Sequence, residues 1–151
     1  MQLISTSSTI DSLDELGHLS NLIDDGRPKH EDVELIATLG RHIQTKGTAL
    51  GYTQKLESFG VQFVNDTCWC MLLDPPLIPP NPAAKILTNS GKYAHYGPGL
   101  TNRRIRFGSM LDCVEAAKSG RVRQGSGNGS MPKWLRSFST QQFIRATRTI
   151  K

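Results

Sequence analysis

Five prolines fall within the eight residues from Pro75 to Pro82. Proline has no amide proton and holds φ at about −65°, so this run excludes both a helix and a central strand. It must be an extended connector. The charge changes sign at the same place: Met1 to Asn81 carries 5 Lys+Arg against 11 Asp+Glu, and Pro82 to Lys151 carries 13 against 2. The two parts are therefore −6 and +11, within an overall +5. A charge step of that size bears on partners more than on fold.

On either side of the connector the hydrophobic spacing changes character. Ile10, Leu13, Leu16, Leu19, Leu22 and Ile23 recur at three and four residues and predict a helix capped by Thr9. Pro28, Glu31, Asp32 and Glu34 suit the start of a second helix carrying Val33, Ile36, Leu39 and Ile43, closed by Gly47. A third helix is expected from Thr48 to Phe59. Val61–Val64 and Cys68–Leu73 are short runs of strand formers and predict a hairpin. After the connector come a short element at Ala83–Leu87, a turn at Thr88–Gly91, and a helix opened by Ser109 and Asp112, a capping-box spacing, and stopped by Gly120. Gly125–Ser130 is a flexible break before a last helical segment that begins near Met131.

The expected fold class is α+β. An acidic N-terminal helical part of about three helices precedes a small mixed α/β basic C-terminal part. The expected organisation is a flexible N-terminus at 1–9, the acidic part with its hairpin-like end at 10–74, the connector at 75–82, and the basic part at 83–151. No signature ties the chain to a known family.

The segment Lys92–Phe107 leads the chemical reading. Lys92, Tyr93, His95 and Tyr96 enter Gly97-Pro98-Gly99, and Arg103, Arg104 and Arg106 follow. With Arg121, Arg123, Lys133 and Arg136 they form an arginine-rich, aromatic-bearing surface, and arginine outnumbers lysine eight to five after Asn81. The guanidinium fork grips phosphate and stacks on bases, and exposed tyrosines stack on bases as well. The favoured function is thus a non-catalytic accessory protein binding RNA or single-stranded nucleic acid. A first alternative is a viral or phage structural or assembly protein, with acidic and basic halves docking between copies. A second is a small metal-independent ribonuclease or toxin-like domain centred on His95, a weak catalytic candidate because no second proton-transfer group accompanies it.

Other chemistry is disfavoured. Gly125–Gly129 is not followed by the lysine that a phosphate loop needs. Cys68 and Cys70 are one residue too close for a zinc pair and lack partner histidines, so no metal and no cofactor are expected. The odd count of three cysteines argues for free thiols in a reducing, cytoplasmic compartment, and no signal peptide or membrane span is expected. The partners expected are nucleic acid, preferably RNA, a second copy of the chain, and a protein that docks on Pro-x-x-Pro within the connector.

Overall fold

The computed structural model describes residues 6–73 and 77–122. Arg123, Lys133 and Arg136, together with the glycine-rich break and the last helical segment expected from sequence, lie outside the described residues. Five strands, β1 (Thr6–Ile10), β2 (Leu35–Leu39), β3 (Val61–Asn65), β4 (Lys85–Thr88) and β5 (Arg104–Phe107), form one sheet in the order β3-β2-β1-β4-β5. Every pairing is parallel, including Ile10 beside Leu39, Leu35 beside Val61, and Leu87 beside Arg106. Strands from both sides of the proline connector thus share a sheet.

Five helices connect the strands: α1 (Leu13–Leu22), α2 (Arg41–Ala49), α3 (Tyr52–Phe59), α4 (Gly91–Thr101) and α5 (Met110–Ser119). One face of the sheet carries α1, α2, α3 and α5. Leu16, Leu19, Ile43, Leu56, Val114 and Ala117 of these helices pack on Ile10, Leu35, Ala37, Leu39 and Leu87. The opposite face is covered by α4, by a single 3₁₀ turn at Trp69–Met71, and by Leu77 and Ile78 of the connector. Its buried core is Ile36, Trp69, Ile78, Ile86 and Tyr93.

Several local expectations change here. The helix foreseen across Val33–Ile43 is β2 followed by α2. All five residues of β2 are buried, because a central parallel strand is covered on both faces and shows no alternation. Its apolar residues happen to fall at spacings that a helix also satisfies. Gly40 separates the two elements and caps α2 with no side chain. Thr6–Ile10, foreseen as a frayed end running into a helix, is the middle strand, and the cap of α1 is Ser12, whose Oγ accepts from the Glu15 amide. The hairpin is absent among the described residues: β3 pairs in parallel with β2, and the second run forms the 3₁₀ turn with Trp69 buried. Gly97-Pro98-Gly99 lies inside α4, which ends on Asn102 in the left-handed conformation, φ 52°. The Ser109–Asp112 capping box is present in both directions, amide to side chain each way.

Opposite charges meet across the fold at the amino edge of the sheet. Arg27 donates to both oxygens of Glu115 at 3.1 and 2.6 Å, and the buried Lys118 ammonium donates to the Leu22 carbonyl at 2.7 Å beside Asp25 at 2.9 Å. Lys118, then Arg27, holds the Asp25 carboxyl far below the usual carboxylate range. This knot ties the end of α1 to α5.

Candidate active site at the carboxyl edge of the sheet

The chain leaves β1 for β2 on one side, while β4 lies on the other. The strand order therefore reverses between β1 and β4, where α1 and α4 depart to opposite faces. In open parallel sheets ligands bind in the crevice outside the carboxyl ends at such a switch point. Here Asp11 and Ser12 follow β1, and Asn89, Ser90 and Gly91 follow β4. Gly40 and Arg41 follow β2, Asp66 follows β3, and Gly108 and Ser109 follow β5.

Each serine is fixed by its helix. Ser12 Oγ accepts from the Glu15 amide at 3.2 Å, and Ser90 Oγ accepts from the Tyr93 amide at 3.4 Å. A hydroxyl acting as acceptor still has its proton to donate. Glu15 reaches back to the Asp11 amide at 2.8 Å, and Thr88 Oγ1 accepts from the Ser90 amide at 3.0 Å, so both turns are pinned. Between them, Asn89 Oδ1 is buried with no hydrogen-bond partner. An orphaned buried acceptor is uncommon and costly. It lines a small hollow with Leu19, Ala37, Met110 and Cys113.

Along the rim, Asp66 adopts φ 54° and accepts from both the backbone amide and the guanidinium of Arg41. Those two bonds hold the Asp66 carboxyl below its ordinary range. The edge thus offers hydroxyl and amide donors, an arginine and an ionised carboxylate. Among the described residues no group of three or more His, Cys, Asp or Glu side chains is placed to hold a metal. Cys68 and Cys70 are the nearest approach to a soft ligand pair. The Cys70 thiol is pushed up by burial, and then by Cys68 beside it.

The residues singled out by sequence are scattered. Tyr93 is fully buried, with its ring 5.4 Å from that of Trp69, so it cannot stack on a base. Arg103 is spent on the fold: Nε and Nη2 each donate to the Pro79 carbonyl at 3.1 Å, and Nη1 reaches the Thr101 and Asn102 carbonyls. Arg104 and Arg106 lie on the edge strand β5, and Arg106 has an electrostatic or hydrogen-bond partner. Arg121 follows α5 at the opposite end of the sheet from the switch point. Lys92, His95 and Tyr96 are exposed on α4, with the His95 and Tyr96 rings edge to face at 4.8 Å. The described members of the set thus lie on α4, on and just before β5, and after α5. Reading the sequence missed Ser12, Asn89 and Ser90, since nothing local marks where a strand order reverses. The cap signatures were the only available signal.

Comparison with known proteins overturns the nucleic-acid reading. Residues 1–119 match the family model for the aconitase X third domain. The chain is 46% identical over 110 residues to cis-3-hydroxy-L-proline dehydratase of Pseudomonas aeruginosa, covering 73% of this chain and 18% of that protein. It is 43% identical over 120 residues to the protein of the same name from Hypocrea jecorina, covering 80% and 20%. The Thermococcus kodakaraensis aconitase X structure (holo-form) superposes with a TM-score of 0.55 at 24% identity, over 78% of this chain and 28% of that one, which supports the fold. The chain thus spans about a fifth of the length of the curated relatives it matches. These relatives are enzymes, and the expectation of an RNA-binding, viral or nucleic-acid-partnered protein is withdrawn on that ground. No described helix is long and apolar enough to cross a membrane. The chain belongs to the aconitase X third-domain family.

Proposed function

We propose that this chain serves as the third domain of a dehydratase acting on a small hydroxy acid of the cis-3-hydroxy-L-proline type. The observation that carries the reading is the 46% identity to the Pseudomonas aeruginosa enzyme across 73% of the chain. Removing water from a 3-hydroxy acid takes a proton from the carbon beside the carboxylate and hydroxide from the next carbon. Negative charge grows toward the carboxylate as the proton leaves, and fixed donors aimed there lower the barrier. The Ser12 and Ser90 hydroxyls and the starts of α1 and α4 supply such donors at the switch point.

The test is a chimera in which the matching 110 residues of the Pseudomonas aeruginosa dehydratase are replaced by those of this chain. Turnover of cis-3-hydroxy-L-proline within about tenfold of the parent is expected. A chimera that folds, by circular dichroism, yet leaves the substrate untouched refutes the reading.

A further inference from the structure

The two faces of the sheet are unequally clothed. Among the described residues four helices cover one face, while the other carries α4, the Trp69–Met71 turn and Leu77 and Ile78 of the connector. Of the seven large apolar side chains exposed among the described residues, five lie on the thinner side: Met71 at 73%, Phe107 at 56%, Tyr96 at 52%, Leu100 at 46% and Leu73 at 45%. Their placement follows from the packing. Ile105 of β5 packs into the Trp69–Tyr93 core, so Phe107, two residues on, faces the same side, beside Gly91 at the start of α4. Tyr96 and Leu100 are one turn apart on α4, on whose inner face Tyr93, Gly97 and Thr101 are buried. Met71 and Leu73 end the turn whose Trp69 ring packs on Tyr93.

Monomeric surfaces seldom concentrate apolar side chains this way, and tyrosine, phenylalanine and methionine are enriched at interfaces. α4 also bears no carboxylate along its eleven residues, while Lys92 is exposed at its start. We infer that this face, α4 with the Trp69–Leu73 turn and the end of β5, is the surface on which the other domains of the dehydratase seat. The occupant is argued from length: the two cis-3-hydroxy-L-proline dehydratases are roughly four times as long as this chain, so a docked neighbour is the ordinary state of this family's fold unit. The seated surface is apolar, with acidic groups opposite Lys92. The inference rests on the dehydratase reading and adds which face is covered.

Amide hydrogen exchange on the full 151-residue chain and on the chimera described above tests it. Peptides covering 69–73 and 94–101 should exchange at least about tenfold more slowly in the chimera, whereas α2 and α3 should be unchanged. Tyr96→Asp with Leu100→Asp, both exposed and therefore compatible with folding, should return those peptides to the isolated-chain rate. Equal exchange in both proteins, protection confined to α2 and α3, or an insoluble chimera each overturns the inference. So does a concentration-dependent dimer of the isolated chain that the double substitution abolishes, since the occupant is then a second copy. Protection without dehydratase turnover leaves the docking face standing and refutes only the substrate reading.

Discussion

Tyr93→Phe should stabilise the protein. Tyr93 is fully buried on α4 against Trp69, and its hydroxyl has no hydrogen-bond partner. The Thr101 hydroxyl, which donates to the Gly97 carbonyl at 2.8 Å, is close enough to favour the ionised phenol slightly but stands outside hydrogen-bond geometry from it. A buried polar group left without a partner costs about 1–3 kcal/mol, which the phenylalanine ring avoids. Losing one oxygen leaves a void smaller than a methyl group, worth about 0.5 kcal/mol at the usual cavity cost. The net expectation is a gain of about 1–2 kcal/mol. In urea, with a slope of about 1–3 kcal/mol per molar, the midpoint should rise by roughly 0.5–1 M at pH 7 with the slope unchanged. Burial also pushes the Tyr93 phenol up to about 12. The raised group favours the folded state fully below the unfolded value of about 10, and that contribution is lost as pH climbs from there through the folded value. The native protein should therefore lose on the order of 2–3 kcal/mol between about pH 10 and 12 from this residue, and Tyr93→Phe should lack that part of the alkaline limb. A variant destabilised at pH 7, or one with the full alkaline limb, would show that the hydroxyl has a partner and that the reasoning is wrong.

Other perturbations follow from the same packing. Arg103→Ala should cost about 1–2 kcal/mol, because the guanidinium donates to connector carbonyls from a partly exposed site. Thermal melts should show a loss nearly independent of salt, as neutral acceptors imply; a steep salt dependence would point back to a phosphate-like partner. Gly97→Ala should destabilise by about 1–3 kcal/mol, since the added methyl would overlap Ile105 and lie 2.9 Å from the Tyr93 ring. Calorimetry that finds the variant unchanged or more stable would mean that α4 can move away from β5. Cys113 is buried, and burial pushes its thiol up to about 12. In a disulfide-exchange titration of the native chain at pH 8 only Cys68 and Cys70 should react readily, with Cys113 released by urea; three equally fast thiols would contradict the core packing.

Local signals carried well where the physics is local. The capping box at Ser109–Asp112 was legible because both of its bonds close within four residues. The strand at Val61 and the helix ending at Phe59 were legible from their apolar residues, and Gly60 at φ 103° separates them in the structure. β2 was not legible, because burial on both faces erases the alternation by which a strand is recognised. The basic stretch misled for a related reason. Composition counts Arg103 as a free cation, whereas its partner, the Pro79 carbonyl, lies 24 residues away.

From the sequence alone came the proline run, the end of α3 at Phe59, both ends of α5 and the charge step, all properties of neighbouring residues. Tertiary structure decided that the strands on both sides of the connector join one parallel sheet, since parallel pairing unites residues distant in the chain. It also decided that the order reverses between β1 and β4, which brings the caps Ser12 and Ser90 to the same edge of the sheet, after neighbouring strands. The switch point exists only once the sheet is assembled, so the site is a product of topology rather than of any motif.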